Sequence, residues 1–399
     1  RRKIVVEEDI HLDAPGSMAA TPPMGWNSWN LFGSAINEAA VRGTAEAIAA
    51  LGLRECGYNY VVIDDCWPVK VGRDGNGDLV PDPEKFPNGI KALADHVHSL
   101  DLKIGIYSDA AELTCAKYPG SYGFEEQDAA LWASWGIDFL KYDYCHAPSD
   151  QATAIERYGR MGEALRNTGR EFLFSLCEWG GRSPHLWGRS VGGHMWRVTA
   201  DFFDSWTNER VEGNEGLFYG SGLDAAIDVA EDLHEYGGPG GWNDLDMLVV
   251  GLKGRGQIAG GGMTFLEYQT HMSIWCMACS PLMITCDVRT MDEETASLLM
   301  NREVLAVNQD PLGKPGRRVR QIGRCDIWKK PLADGSVAVA LVNRGSTGSD
   351  VMVKAVDIGM LDTPKLARNL WLQQDSADFT EELEQHVQPH QTVLLKVSV

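Results

Sequence analysis

The sequence predicts an α/β fold, a (β/α)8 TIM barrel followed by a C-terminal antiparallel β-sandwich domain. Three observations lead there. Eight short apolar runs alternate with helix-patterned stretches between Thr21 and Met300. Several of those runs are apolar throughout, as strands buried on both faces are. After Gln309-Asp310-Pro311-Leu312-Gly313 the texture changes to short strands broken by turn residues, with no long helix. The 399 residues suffice for a barrel of ~250 residues and a smaller module.

Strands are expected at Met24–Trp29, Tyr60–Asp64, Lys103–Tyr107, Phe139–Asp143, Phe172–Cys177, Met195–Asp201, Asp246–Val250 and Leu282–Cys286. Helices are expected between them, at Ala39–Leu53, Ile90–Leu100, Gln127–Trp135, Ala152–Asn167, Leu223–Glu235 and Phe265–Ala278. A last helix, Glu293–Met300, begins with acids at Asp292–Glu294, where the helix dipole favours them. In the sandwich, strands are expected at Cys325–Lys330, Ser336–Asn343, Asp350–Val356, Asn369–Leu372 and Thr392–Val397. Residues 1–19 are polar and read as a tail or edge strand, 20–311 as the barrel and 312–399 as the sandwich.

The formal charge of −20 argues against nucleic acid or anionic membrane as a partner, because phosphate recognition needs clustered Lys and Arg. It suits a neutral substrate. No apolar run reaches the ~18–20 residues of a membrane span. The chain starts at Arg1 without a visible leader, so secreted, periplasmic and cytoplasmic locations all remain open. The nine cysteines form neither paired metal-binding spacings nor a dense disulfide framework, and Cys276 and Cys279 read as helix core. Thirteen tryptophans supply flat apolar surface of the kind that packs on sugar rings, although large cores use tryptophan too.

Catalytic groups of such barrels sit at the C-terminal ends of the strands. Five expected strand ends carry acids: Asp64-Asp65, Asp109, Asp143, Glu178 and Asp201. Lys141 and Asp143 lie two apart and so share a strand face, where an ammonium favours the ionised carboxylate. Spacing alone reads equally well as a structural ion pair, and Asp201 reads more readily as a helix cap. Arg197 and Asp201 share a face if their strand is regular, and that pairing keeps Asp201 ionised unless desolvation opposes it. The adjacent Asp64 and Asp65 are costly to bury uncompensated. They fit vicinal hydroxyls better than a metal, because no histidines converge on them.

These residues stand in motifs that resemble family 27 of the glycoside hydrolases, the α-galactosidases and α-N-acetylgalactosaminidases. The resemblance runs from Thr21 over nearly the whole chain. It includes Met24-Gly25-Trp26-Asn27-Ser28-Trp29, Ile63-Asp64-Asp65-Cys66-Trp67, Gly105-Ile106-Tyr107-Ser108-Asp109 and Leu140-Lys141-Tyr142-Asp143. It continues through Cys177-Glu178-Trp179, Trp196-Arg197 with Asp201, Gly240-Gly241-Trp242-Asn243-Asp244 and Asn308-Gln309-Asp310-Pro311-Leu312-Gly313.

The resemblance implies a retaining exo-acting α-galactosidase with Asp143 as nucleophile and Asp201 as acid/base, needing no metal or organic cofactor. Their carboxyl groups are then expected ~5–5.5 Å apart. It also implies that Asp64 and Asp65 accept hydrogen bonds from the 4- and 6-hydroxyls, and that Trp29 forms an apolar wall. Lys141 would bind ring hydroxyls, and Glu178 and Arg197 would lie near the 2-position. Tyr107, Cys145, Trp179 and Met247 would complete the pocket, with Cys115 and Cys145 able to pair as in the family. A charged Glu178 beside the 2-position would favour a hydroxyl over an acetamido group, and the Asp64-Asp65 pair a hexose over a pentose. The sequence departs from the family pattern at Ser34 and Gly193, where partners of Cys66 and Cys177 would stand. It departs also at Leu245, in place of a proline, and in the loop Gly180–Pro184. The expected partner is a galactose-terminated oligosaccharide or glycoconjugate, with a homo-oligomer possible in principle. The rival readings are a β-L-arabinopyranosidase, an α-N-acetylgalactosaminidase, a silent sugar-binding protein and a metal-dependent hydrolase.

Overall fold

The computed structural model describes residues 18–208, 210–213, 216–219, 221–258 and 260–399. The expected tail or edge strand at 1–19 lies, apart from Met18 and Ala19, outside the described residues.

Eight parallel strands follow one another around a single sheet. They are Met24–Asn27, Tyr60–Val62, Lys103–Asp109, Phe139–Asp143, Leu173–Cys177, Met195–Arg197, Trp242–Asp244 and Leu282–Ile284. The first strand pairs in parallel with the second and with the eighth. Gly25 permits that close approach: a Cβ there would sit 2.3 Å from the Tyr60 carbonyl oxygen. The ring closes beyond the seventh strand, through one parallel bridge between Leu248 and Ile284. There the Leu248 N–H donates to the Met283 carbonyl at 2.8 Å. The seventh strand is therefore Trp242–Asp244 rather than Asp246–Val250. The apolar run beyond it is buried, but Asp246 has φ +80, which breaks the extended chain before the bridge at Leu248. The sixth strand stops at Arg197, four residues short of Asp201.

Inside the ring, Tyr60, Val62, Phe139, Leu173, Met195, Met247 and Met283 pack together and close the barrel as a filled core. The helices begin at side chains that accept orphan backbone N–H groups. Asn37 caps Glu38–Ala50, Asp150 caps Gln151–Asn167, and Thr264 forms a reciprocal capping box with Glu267. Asp292 is itself the cap of Glu293–Leu299, accepting from the Thr295 N–H.

The C-terminal sandwich has a six-stranded antiparallel sheet. Its order is Arg317–Ile322, Cys325–Pro331, Val337–Asn343, Thr392–Ser398, Lys365–Asn369 and Gln374–Phe379. The pair Ser349–Lys354 and Glu382–Val387 covers its other face. The expected strand Asn369–Leu372 lies earlier, at Lys365–Asn369, and Arg317–Ile322, Gln374–Phe379 and Glu382–Val387 were not foreseen. Helix Phe265–Met277 is buried from Tyr268 to Met277, with the barrel on one side and the sandwich on the other. Trp328, Ala338, Ala340 and Leu394 belong to the same apolar core as the barrel helices. Arg344 reaches across to both Asp224 and Asp228 at 2.7–2.9 Å.

Candidate active site

A cavity of about 630 Å³ opens at the C-terminal ends of the barrel strands, within the usual range of small-molecule sites. Trp29, Asp64, Asp65, Tyr107, Lys141, Asp143, Cys145, Trp179, Arg197, Asp201 and Met247 all line it. Each arrives by strand geometry. Alternation turns Lys141 and Asp143 inward on the fourth strand and Cys177 inward at the end of the fifth.

Asp64 Oδ2 accepts from Lys141 Nζ at 2.7 Å and from Asn27 Nδ2 at 2.8 Å. Asp65 accepts from the Thr114 hydroxyl and from the N–H groups of Cys66 and Ala116. Burial nevertheless raises the Asp65 carboxyl to about 6, the hydrogen bonds opposing it and the Asp64 charge adding to it. Burial alone would lower the Lys141 ammonium, yet the negative groups around it, led by Asp64, hold it above the ordinary lysine value.

Asp143 is 5% exposed. The Tyr107 hydroxyl donates to its Oδ2 at 2.7 Å, and the Tyr144 N–H to its Oδ1 at 2.9 Å. Burial raises this carboxyl, while Lys141, Arg197 and the Tyr107 hydrogen bond pull it back. The neighbouring Asp109, fully buried, is raised much further by burial and by the Asp143 charge. The two neighbouring carboxyls raise one another, and Asp143 is the one that faces the cations Lys141 and Arg197. Cys115 and Cys145 are bonded to each other, Cα–Cα 5.1 Å, and a Cys115 sulfur lies 3.2 Å from Asp143 Oδ2. Asp109, Cys115, Asp143 and Cys145 place four ligand-type atoms within 4.8 Å of one another. With the sulfurs joined and Asp109 bonded to the N–H groups of Ala111 and Cys145, that set does not fit a metal.

Arg197 is buried and bridges two acids. One Nη hydrogen-bonds to Asp201 Oδ1, and the other lies 3.4 Å from Asp246 Oδ2. The Asp201 side chain is 60% exposed, at the rim, and Asp143 lies deep. An anionic pocket floor, a buried ammonium and guanidinium, and two carboxyls at different depths make a site for a polyhydroxylated neutral molecule.

The comparisons with known proteins agree in one direction. The family model for α-galactosidase A matches residues 21–310, and that for the α-galactosidase C-terminal β-sandwich domain matches 323–397. The chain belongs to the α-galactosidase (melibiase) family, family 27 of the glycoside hydrolases. It is 45% identical over 379 residues to an α-galactosidase of Cyamopsis tetragonoloba, covering 94% of this chain and 86% of that one. Among solved structures, α-galactosidase I of Mortierella vinacea superposes with a TM-score of 0.90 at 36% identity, covering 96% of this chain and 98% of that one. The Saccharomyces cerevisiae α-galactosidase with raffinose superposes at 0.87 and 29% identity, with the same coverage. The chain is accordingly a glycoside hydrolase.

Within that family frame, one expected pocket residue is elsewhere. Glu178 is fully buried and does not line the cavity. It follows the inward Cys177, so alternation turns it outward, where Arg182 holds it at 2.6 and 2.8 Å. Lys141, expected beside Asp143, is hydrogen-bonded to Asp64. Asp246 lines the cavity and was not singled out, although it stands in the same motif as Asn243, Asp244 and Leu245. Phe203, Gln257 and Ile258 also line it. They lie in loops whose sequence carries no chemical signature. Cys66 and Cys177 are buried free cysteines, as the departures at Ser34 and Gly193 implied.

Proposed function

We propose that the chain is a retaining, exo-acting α-galactosidase that hydrolyses terminal α-D-galactosyl residues, residues 20–311 forming the catalytic unit and 312–399 the sandwich. The observation that carries this reading is the shared cavity of Asp143 and Asp201, one deep and beside cations, the other at the rim where a leaving group departs. Asp143 is the nucleophile. It attacks the anomeric carbon while Asp201 protonates the glycosidic oxygen, giving a covalent galactosyl–enzyme. Asp201 then takes a proton from water, which attacks the same carbon and releases galactose with retained configuration.

The Tyr107 hydroxyl and Tyr144 N–H hold the Asp143 carboxylate in its attacking orientation. Arg197 holds Asp201 in place. Asp64 and Asp65 accept from the 4- and 6-hydroxyls, Lys141 donates to ring hydroxyls, and Trp29 packs on the apolar sugar face. The substrate is a galactose-terminated oligosaccharide or glycoconjugate, raffinose among them.

Proton NMR of the first-formed sugar tests this: α-galactose is expected before mutarotation, and β-galactose would exclude the double displacement. Turnover of Asp143→Ala and Asp201→Ala should each fall by orders of magnitude.

A further inference from the structure

We infer that His390, in the C-terminal sandwich, is a positioning residue for the segment that presents Asp201, an inference that rests on Asp201 being the acid/base. The sixth strand ends at Arg197, so the sheet does not hold Asp201. It stands on a connecting segment that returns beside Ser221, bridged at Phe202.

Asp201, Phe202 and Phe203 all line the cavity, while the segment is anchored into the protein through Phe202, Asp204 and Trp206. Phe202 packs on His271 and Trp275, with ring centroids 4.8 and 5.0 Å apart. Asp204 accepts from the Tyr268 hydroxyl at 2.9 and 3.1 Å. All three partners lie on helix Phe265–Met277. The third anchor, Trp206, lies against a different domain: its ring stacks face to face on His390, centroids 3.8 Å apart and planes 7° apart.

His390 is held for this contact from three sides. It sits in the turn between Glu382–Val387 and Thr392–Ser398 with φ +60, a left-handed conformation that is strained for a non-glycine residue. Its Nδ1 lies 3.0 Å from Glu267 Oε2, and Glu267 is fixed by its own capping box with Thr264. The Thr270 hydroxyl approaches the His390 carbonyl at 2.7 Å. A strained backbone, a hydrogen-bonded ring and a parallel stack on one tryptophan go beyond what joining two domains requires. They fix the far end of a six-residue strap, 201–206, whose near end is the proton donor.

The test uses leaving groups. A sugar or alkyl leaving group needs protonation by Asp201, and a nitrophenolate hardly does. In the full chain, His390→Asn tolerates the left-handed turn but lacks the ring, whereas His390→Phe keeps a flat ring. The expected result is a loss of about tenfold or more in kcat/KM for raffinose with His390→Asn. Its kcat/KM for 4-nitrophenyl α-galactoside should stay near the parent value, and His390→Phe should restore most of the raffinose rate. Trp206→Leu removes the same stack from the other side and should show the same selectivity, so a poorly folding His390 variant leaves the inference testable. An equal loss on both substrates, or none, would overturn it. Asp201→Ala is the control. If it shows no leaving-group selectivity, the acid/base reading itself fails; if it does and His390→Asn does not, only the positioning role fails.

Discussion

Lys141 makes its hydrogen bond to Asp64, 2.7 Å away across the barrel, and reaches Asp143 on its own strand only through its field. The interior of a (β/α)8 barrel explains this. Side chains there form layers, each filled by alternate strands. Lys141 on the fourth strand shares a layer with residues of the second, and Asp143 belongs one layer nearer the mouth. The ammonium therefore ties the Asp64 carboxylate in place and biases Asp143, the proposed nucleophile, from below.

Lys141→Met should leave Asp64 charged, buried and short of its main partner. A loss of about 3–5 kcal/mol in stability is expected from urea unfolding, with kcat/KM for 4-nitrophenyl α-galactoside down by roughly 10²–10³. Retention of both would contradict the tie.

Asp65 gives a pH signature. Its folded-state carboxyl, raised by burial from the ordinary aspartate range to about 6, holds its proton more firmly than in the unfolded chain. Its contribution is thus fully present below pH ~4 and is lost as pH rises through 6, on the order of 3 kcal/mol over the window. Asp65→Asn should remove that slope. Denaturation midpoints of parent and variant at pH 4, 5, 6 and 7 measure it, and parallel curves would refute the assignment.

Glu178 and Arg182 form a buried pair outside the cavity, so they should govern stability and not sugar choice. Arg182→Ala is expected to cost about 3–5 kcal/mol by stranding the Glu178 charge. Glu178→Gln should leave the preference for the 4-nitrophenyl α-galactoside over the α-N-acetylgalactosaminide unchanged. A gain of the acetamido substrate in that variant would return Glu178 to the pocket wall. In the parent, the α-galactoside should also exceed the β-L-arabinopyranoside.

Removing the Cys115–Cys145 bond by a double Cys→Ser change releases a loop of sequence separation 30. About 2–4 kcal/mol of stability should go with it. Because Cys115 touches Asp143 and Cys145 lines the cavity, KM should rise as well. Thermal unfolding and steady-state rates of the same preparation check both.

The sequence was most legible where one physical demand ruled each residue. Phe139–Asp143 was read to its last residue because Phe139, Leu140 and Tyr142 mark a buried strand and its inward Lys141 and final acid point to the mouth. Trp242–Asp244 was missed because polar Asn243 and Asp244 hide a strand among turn-like neighbours. The more apolar Asp246–Val250 owes its character to burial instead. Arg317–Ile322 escaped because an edge strand carries charge to discourage further pairing, and its arginines erase the hydrophobic alternation. Among the pocket residues, motif acids announced themselves, whereas Gln257 and Ile258 enter on a glycine-rich loop whose path only tertiary contacts decide. The Glu178 expectation failed on a single step of alternation.

Helix Phe265–Met277, buried on both sides, gives the molecule no line along which to divide. Cutting the chain near residue 311 would expose the apolar residues that the helix and sandwich share and strand the Thr270 and Ser273 hydroxyls, so the barrel alone should precipitate and not persist as a smaller enzyme. Calorimetry of the whole chain should then trace a single melting peak, with the sandwich and catalysis lost at one temperature.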